Sequence, residues 1–154
     1  MVLVFILMAL VIGLVIPLQS AINSSLRDTL HSGSLLAALV SFTVGTLTLL
    51  VASALTGQPF TALGGLSRVA WWEWLGGALG AFFVFGSTLL APRIGMAAMI
   101  SLIVAGQVCS SLIFDHYGLL GLPARGISWI RIAGAALILV GAVLVNFGNR
   151  WLKA

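Results

Sequence analysis

Charge is nearly missing from this chain. Asp, Glu, Lys and Arg make up 6% of its 154 residues, three acids against seven cations. Water-soluble domains carry about 25% charged residues, so a soluble fold is excluded. The seven cations are scattered one or two to a loop with no basic run. That pattern removes nucleic acid as a partner and leaves anchors at helix ends, beside lipid phosphates. Cysteine is almost absent too. Cys109 stands alone, so no disulfide can close within the chain, and no Cys/His cluster marks a metal site. It reads as a small apolar filler. There is no nucleophile–base set, no phosphate loop and no metal-ligand spacing, so neither an enzyme nor a cofactor is expected. The first apolar run also lacks the marks of a signal peptide. No Lys or Arg precedes it, it is too long for such a segment, and no A-x-A site follows, so it is expected to be a retained span.

What is present is apolar surface: 61% of residues are hydrophobic and the mean hydropathy is +1.22. Five stretches hold no charged residue at all, residues 2–26, 34–56, 74–90, 95–114 and 132–147. A bilayer core about 30 Å thick needs about 20 apolar residues at about 1.5 Å rise each. The expected fold is therefore all-α and integral to the membrane, one domain over residues 1–154. Its five transmembrane helices should cover residues 2–26, 34–56, 71–91, 94–115 and 129–148. Trp71, Trp72 and Trp74 form the aromatic belt of the third span, and Arg150, Trp151 and Lys153 read as a terminal anchor. Thr56-Gly57-Gln58-Pro59 ends the second helix, and Ala91-Pro92-Arg93 is a tight connection between the third and fourth.

An odd number of spans puts the two ends of the chain on opposite faces. The face of the N-terminus then holds Arg68, Arg125 and Arg131, and the other holds Arg27, Arg93, Arg150 and Lys153. A difference of one cation is too small for the positive-inside rule to choose an orientation. Either the bias is simply weak, or the protein inserts both ways and pairs with an inverted copy of itself. Small residues suggest where helices approach. Gly76 and Gly80 have GxxxG spacing, and Gly134, Gly141 and Gly148 lie seven apart along one face. In lipid such smooth stripes let backbones approach, within the chain or between copies.

Polar side chains inside the spans carry the functional reading. The first helix holds Pro17, Gln19, Ser20, Asn23 and Ser24. Gln19 and Asn23 are four apart and share a face, as do Ser20 and Ser24. Pro17 has no N–H for the carbonyl of Gly13, so this pair is a candidate hinge. In the fourth helix Gln107, Ser111 and Asp115 repeat every four residues. An unpartnered amide in hydrocarbon costs several kcal/mol, so these faces should point into the bundle or a wet cavity. They are either interhelical glue or the lining of a solute path at a broken helix. Counting from helix centres, Gln19 and Gln107 differ in depth by about 11 Å within one chain but by about 3 Å between inverted copies. No carboxylate lies at the centre of a span. Glu73 is read as an interfacial or helix-N-terminal charge and Asp115-His116 as a surface loop pair.

These residues resemble a known family. PLQSAINSSL, LVSFTVGTLTLL, WWEWLGGALGAFFVFGSTLLAPRIG and LIVAGQVCSSLIFDHYGLLGLP look like the YdcZ-type family of the drug/metabolite transporter superfamily. The combination of GQ-x-x-x-S-L-x-x-D-H with P-L-Q-x-x-x-N is specific, and the match runs nearly the length of the chain in order. RIAGAALILVGAVLV resembles the Gly-rich closing helix found more widely in that superfamily. The resemblance implies a bacterial inner-membrane location, export or exchange of small molecules, and a half-transporter whose five-helix units pair in opposite orientations. The partner would be a second copy or a homologous five-helix chain. The membrane glutamate of small multidrug exporters is missing from helix 1 here, so their proton antiport is not implied.

The expectation is thus an exporter working by alternating access as an antiparallel homodimer in the lipid bilayer. Its solute cavity would be lined by Gln19, Asn23, Gln107, Ser20 and Ser111, with Gly13 and Pro17 as hinge. Gly76, Gly80, Gly134 and Gly141 would serve helix packing or the dimer. A passive dual-topology channel would instead give linear, electrically measurable flux, and a non-transporting assembly subunit would give no flux of any solute.

Overall fold

In the computed structural model, which describes residues 2–151 and the side chains of residues 2–148, the chain is 87% helical with no strand among the described residues. The helices are α1 (Val2–Thr29), α2 (Ser34–Leu55), α3 (Leu75–Ile94), α4 (Met96–Tyr117) and α5 (Trp129–Trp151). Each is long and apolar enough to cross a bilayer, α3 together with the 3-10 turn Trp71–Trp74 before it. A second 3-10 segment, Phe60–Arg68, joins α2 to that turn. The proposed terminal anchor lies outside the described residues: the side chains of Arg150 and Trp151, and all of Lys153.

Helix is the only local answer for such runs, because hydrocarbon offers no partner to a backbone N–H or C=O. The polar residues of α2 obey the same rule. The Thr43, Thr46 and Thr48 hydroxyls donate to the carbonyls of Leu39, Phe42 and Val44, each 2.9 Å away on the preceding turn. Helix ends use the few residues that can turn the chain. α1 stops at His31, whose φ of 46° is left-handed, with Ser32 N–H returning to the Arg27 carbonyl. Glu73 reaches back to accept the Ala70 N–H at 2.7 Å, which starts the third span. It is thus a helix-N-terminal charge.

The connection between the third and fourth spans differs from expectation. Pro92 lies inside α3, which continues to Ile94, and the break narrows to one residue, Gly95, with φ of 87°. Arg93 stabilises this last turn by donating to the Leu89 carbonyl at 2.8 Å. Helices also outrun the charge-free stretches: α1 continues through Arg27 and Asp28 to Thr29, and α4 to Tyr117. Charged side chains at a span's end reach the headgroups, so the backbone has no reason to stop there.

The chain divides into two compact units, Met1–Arg93 and Ile94–Ala154. In the first, α1 packs on α2 through small residues: Ser20 and Asn23 are buried on one helix, Ser34, Ala37 and Ala38 on the other. Val84, Ser87, Thr88 and Ala91 are the buried residues of α3. A Cβ placed on Gly80 would stand 3.4 Å from the Phe42 ring, so α2 and α3 touch where the glycine makes room. In the second unit α4 packs on α5, with Met99 and Ala105 buried on one and Ala135 and Ala142 on the other. Most of the long apolar side chains point outward, Val84 and Met99 being buried exceptions. None of α1's most apolar stretch is buried, which suits a surface solvated by acyl chains.

Candidate functional site

The expected cavity residues divide by burial. In α1, Ser20 and Asn23 are 2% and 3% exposed and lie in the seam with α2. Gln19, one residue before Ser20 and so about 100° around the helix, is exposed. The edge of the seam therefore runs between Gln19 and Asn23, although the two share a face by spacing. Pro17 is half-buried inside an α1 that runs on to Thr29, and a Cβ built on Gly13 meets nothing within 4 Å.

In α4, Gln107 and Ser111 are both exposed. Ser111 donates to the Val108 carbonyl at 3.0 Å, and Ser110 to the Gln107 carbonyl at 3.1 Å. These hydroxyls are satisfied within the helix, which leaves the Gln107 amide as the polar group on that face. Among the packing glycines only Gly80 has a neighbour; a Cβ on Gly76, Gly134 or Gly141 meets nothing within 4 Å.

Asn23 differs from the other polar groups. Its Nδ2 is buried without a partner, as are the hydroxyls of Ser24 and Ser32. Leaving a buried donor unpaired costs about 1–3 kcal/mol, so three in one hairpin are a concentrated expense. Buried hydroxyls elsewhere are satisfied: Ser87 and Thr88 both donate to the Val84 carbonyl.

One polar group was missed by spacing arguments. Asn146, deep in the apolar α5, donates to Ser101 Oγ at 3.0 Å and to the Ala142 carbonyl at 2.8 Å. Its signal was plain, an amide inside a charge-free run, but its partner is 45 residues away. Asp115 was placed by spacing, but its partner was not. It pairs with Arg131 at the start of α5, while its carbonyl accepts the Arg125 N–H at 2.6 Å. It is not paired with His116, whose ring stacks edge-on against Tyr117 at 4.8 Å. The acid therefore ties α5 and the connecting loop to the end of α4.

A hollow of about 680 Å³ lies elsewhere, between the end of α2 and the Phe60–Arg68 segment, with Leu49, Leu50, Phe60 and Leu63 among its lining residues. None of the expected cavity residues lines it.

Comparison with known proteins places these features in a family context. Residues 4–144 match the family described as "Putative inner membrane exporter, YdcZ". The inner membrane protein YdcZ of Escherichia coli (strain K12) is 36% identical over 140 residues, which cover 90% of this chain and 91% of that protein. No solved structure matches the chain.

Proposed function

This chain belongs to the YdcZ family of inner-membrane exporters, a transport rather than a catalytic family, and from that premise we propose that it exports a small solute by alternating access as an antiparallel, dual-topology homodimer. The observation that carries this reading is the exposure of Gln19 and Gln107 on helices built to face hydrocarbon. An amide in that setting without a partner costs several kcal/mol. A second copy, or the wet cavity it would enclose, relieves that cost. Inversion brings the two amides to similar depth, and a cation split of three to four between faces sets little bias against it. Asn23, Ser20 and Ser111 would add to the cavity, with Gly13 and Pro17 as the hinge. The bare faces at Gly76, Gly134 and Gly141 offer surfaces for a close helix approach from a partner.

Cross-linking tests the arrangement. With Cys109→Ala as background, Gln19→Cys and Gln107→Cys chains mixed in one membrane are expected to form heterologous cross-links between chains. Cross-links only within a doubly substituted chain, and none between chains, would sink the inverted pair.

A further inference from the structure

The hollow beside α2 takes in none of the solute-path residues and has a form of its own. Its α2 wall runs from Thr46, near the middle of that helix, to Thr56 just past its end. That length of helix rises about 15 Å, half of a hydrocarbon core about 30 Å thick. The hollow therefore extends over the depth of one leaflet. Its volume, about 680 Å³, falls in the range of about 300–1,000 Å³ usual for small-ligand sites.

The lining is less polar than its residue types suggest. Thr46 Oγ1 donates to the Phe42 carbonyl at 2.9 Å and Thr56 Oγ1 to the Ala52 carbonyl at 2.8 Å, so both hydroxyls turn back into the helix. Ser53 and Gln58 are the other polar side chains, and both lie toward the end of α2. Leu49 and Leu50 form the deeper wall. An enclosed water needs about two to four polar partners, which this depth does not offer.

The opposite wall is amphipathic. A 3-10 helix repeats about every three residues, so Phe60, Leu63 and Leu66 stand in one row of the Phe60–Arg68 segment, apart from Thr61, Ser67 and Arg68. Phe60 and Leu63 line the hollow yet are 46% and 54% exposed, so it opens to the surroundings of the span. The segment leads from the end of α2 to Trp71 and Trp72, an aromatic belt at headgroup level. Arg68 is exposed and has no ion-pair partner among the described residues, which suits a place in the phosphate layer.

We propose that this hollow holds one acyl chain of a membrane phospholipid, with the Phe60–Arg68 segment as its outer wall in the interface. The chain gives the lining Leu and Phe side chains the dispersion contacts that the fold leaves out. A transported solute fits less well, because Gln19, Asn23 and Gln107 are not in the lining.

Photolabelling in proteoliposomes tests the site. The full chain is reconstituted with a trace of phosphatidylglycerol that carries a diazirine partway along one acyl chain, and labelled positions are read by peptide mass spectrometry. Labelling at Leu49, Leu50 and Leu63 is expected to exceed severalfold that on the exposed α1 residues Val4, Leu7 and Val11. In native mass spectrometry one phospholipid per chain should survive detergent extraction. Ala62→Phe and Ala52→Phe each fill the hollow from an exposed position, so each should lower the labelling to the α1 level and lose the retained lipid. Ala54→Phe, also exposed on α2 but outside the hollow, should leave both readouts unchanged. Labelling that is uniform over all the spans, or that neither filling variant lowers, overturns the site. Cross-linking of Leu63→Cys between chains in a Cys109→Ala background, with no lipid labelling of the hollow, would also overturn it and give the hollow to a second copy.

Discussion

Asn146 Nδ2 donates to Ser101 and to its own helix, and the Ser101 hydroxyl has a second partner in the Ala98 carbonyl. Deleting the amide therefore strands little. Hydrogen bonds between membrane helices average about 0.6 kcal/mol, so Asn146→Leu is expected to destabilise the protein by about 0.5–1 kcal/mol, read from reversible unfolding in mixed micelles. A loss above about 2 kcal/mol would mean that the amide does more than join α4 to α5. Asp115 and Arg131 form a partly exposed pair, 28% and 36%, where water and salt screen the attraction. Asp115→Asn should accordingly cost less at high ionic strength than at low, and an effect independent of salt would assign its role to the Asp115 backbone and loop instead. At this scale the residue types were legible and the partners were not. Asp115 looked paired with its neighbour His116, but the bond it makes crosses 16 residues.

The elements depend on where the chain can turn. α4 ends at Gly118, with φ of 59°, and a Cβ there would stand 3.0 Å from the Leu122 carbonyl oxygen and 3.2 Å from Ala124 Cβ. α2 ends near Gly57, with φ of 68°, where a Cβ meets nothing within 4 Å. The left-handed conformation alone costs a non-glycine residue about 1–2 kcal/mol. Gly57→Ala should therefore lose about that amount, and Gly118→Ala measurably more in the same unfolding assay. Equal losses would show that the loop after α4 shifts freely, contrary to its tie from Arg125 to Asp115. Span positions were readable because apolarity accumulates over twenty residues. Helix ends were less so: Pro92 signalled a stop, yet α3 carries it within its last turn and breaks only at Gly95.

For the whole molecule the sharpest expectation concerns orientation. Five spans place the chain ends on opposite faces, and the cations split three to four. A reporter joined after the fifth span should appear on both faces of the membrane in one cell population. Detection on a single face would end the dual-topology homodimer and turn the search to a separate partner chain.

Hydropathy alone determined that the chain is helical, how many times it crosses and roughly where, because each apolar residue avoids water whatever it touches next. It did not determine which face of a helix meets protein and which meets lipid, since both are equally good solvents for Leu, Ile and Val. Tertiary packing made that choice through the small and polar residues. It buried Asn23 and left Gln19 outside, joined Asn146 to Ser101, and left unpaired donors in the α1–α2 hairpin. Those outcomes rest on hydrogen-bond geometry and close approach between residues distant in the chain, which no local pattern encodes.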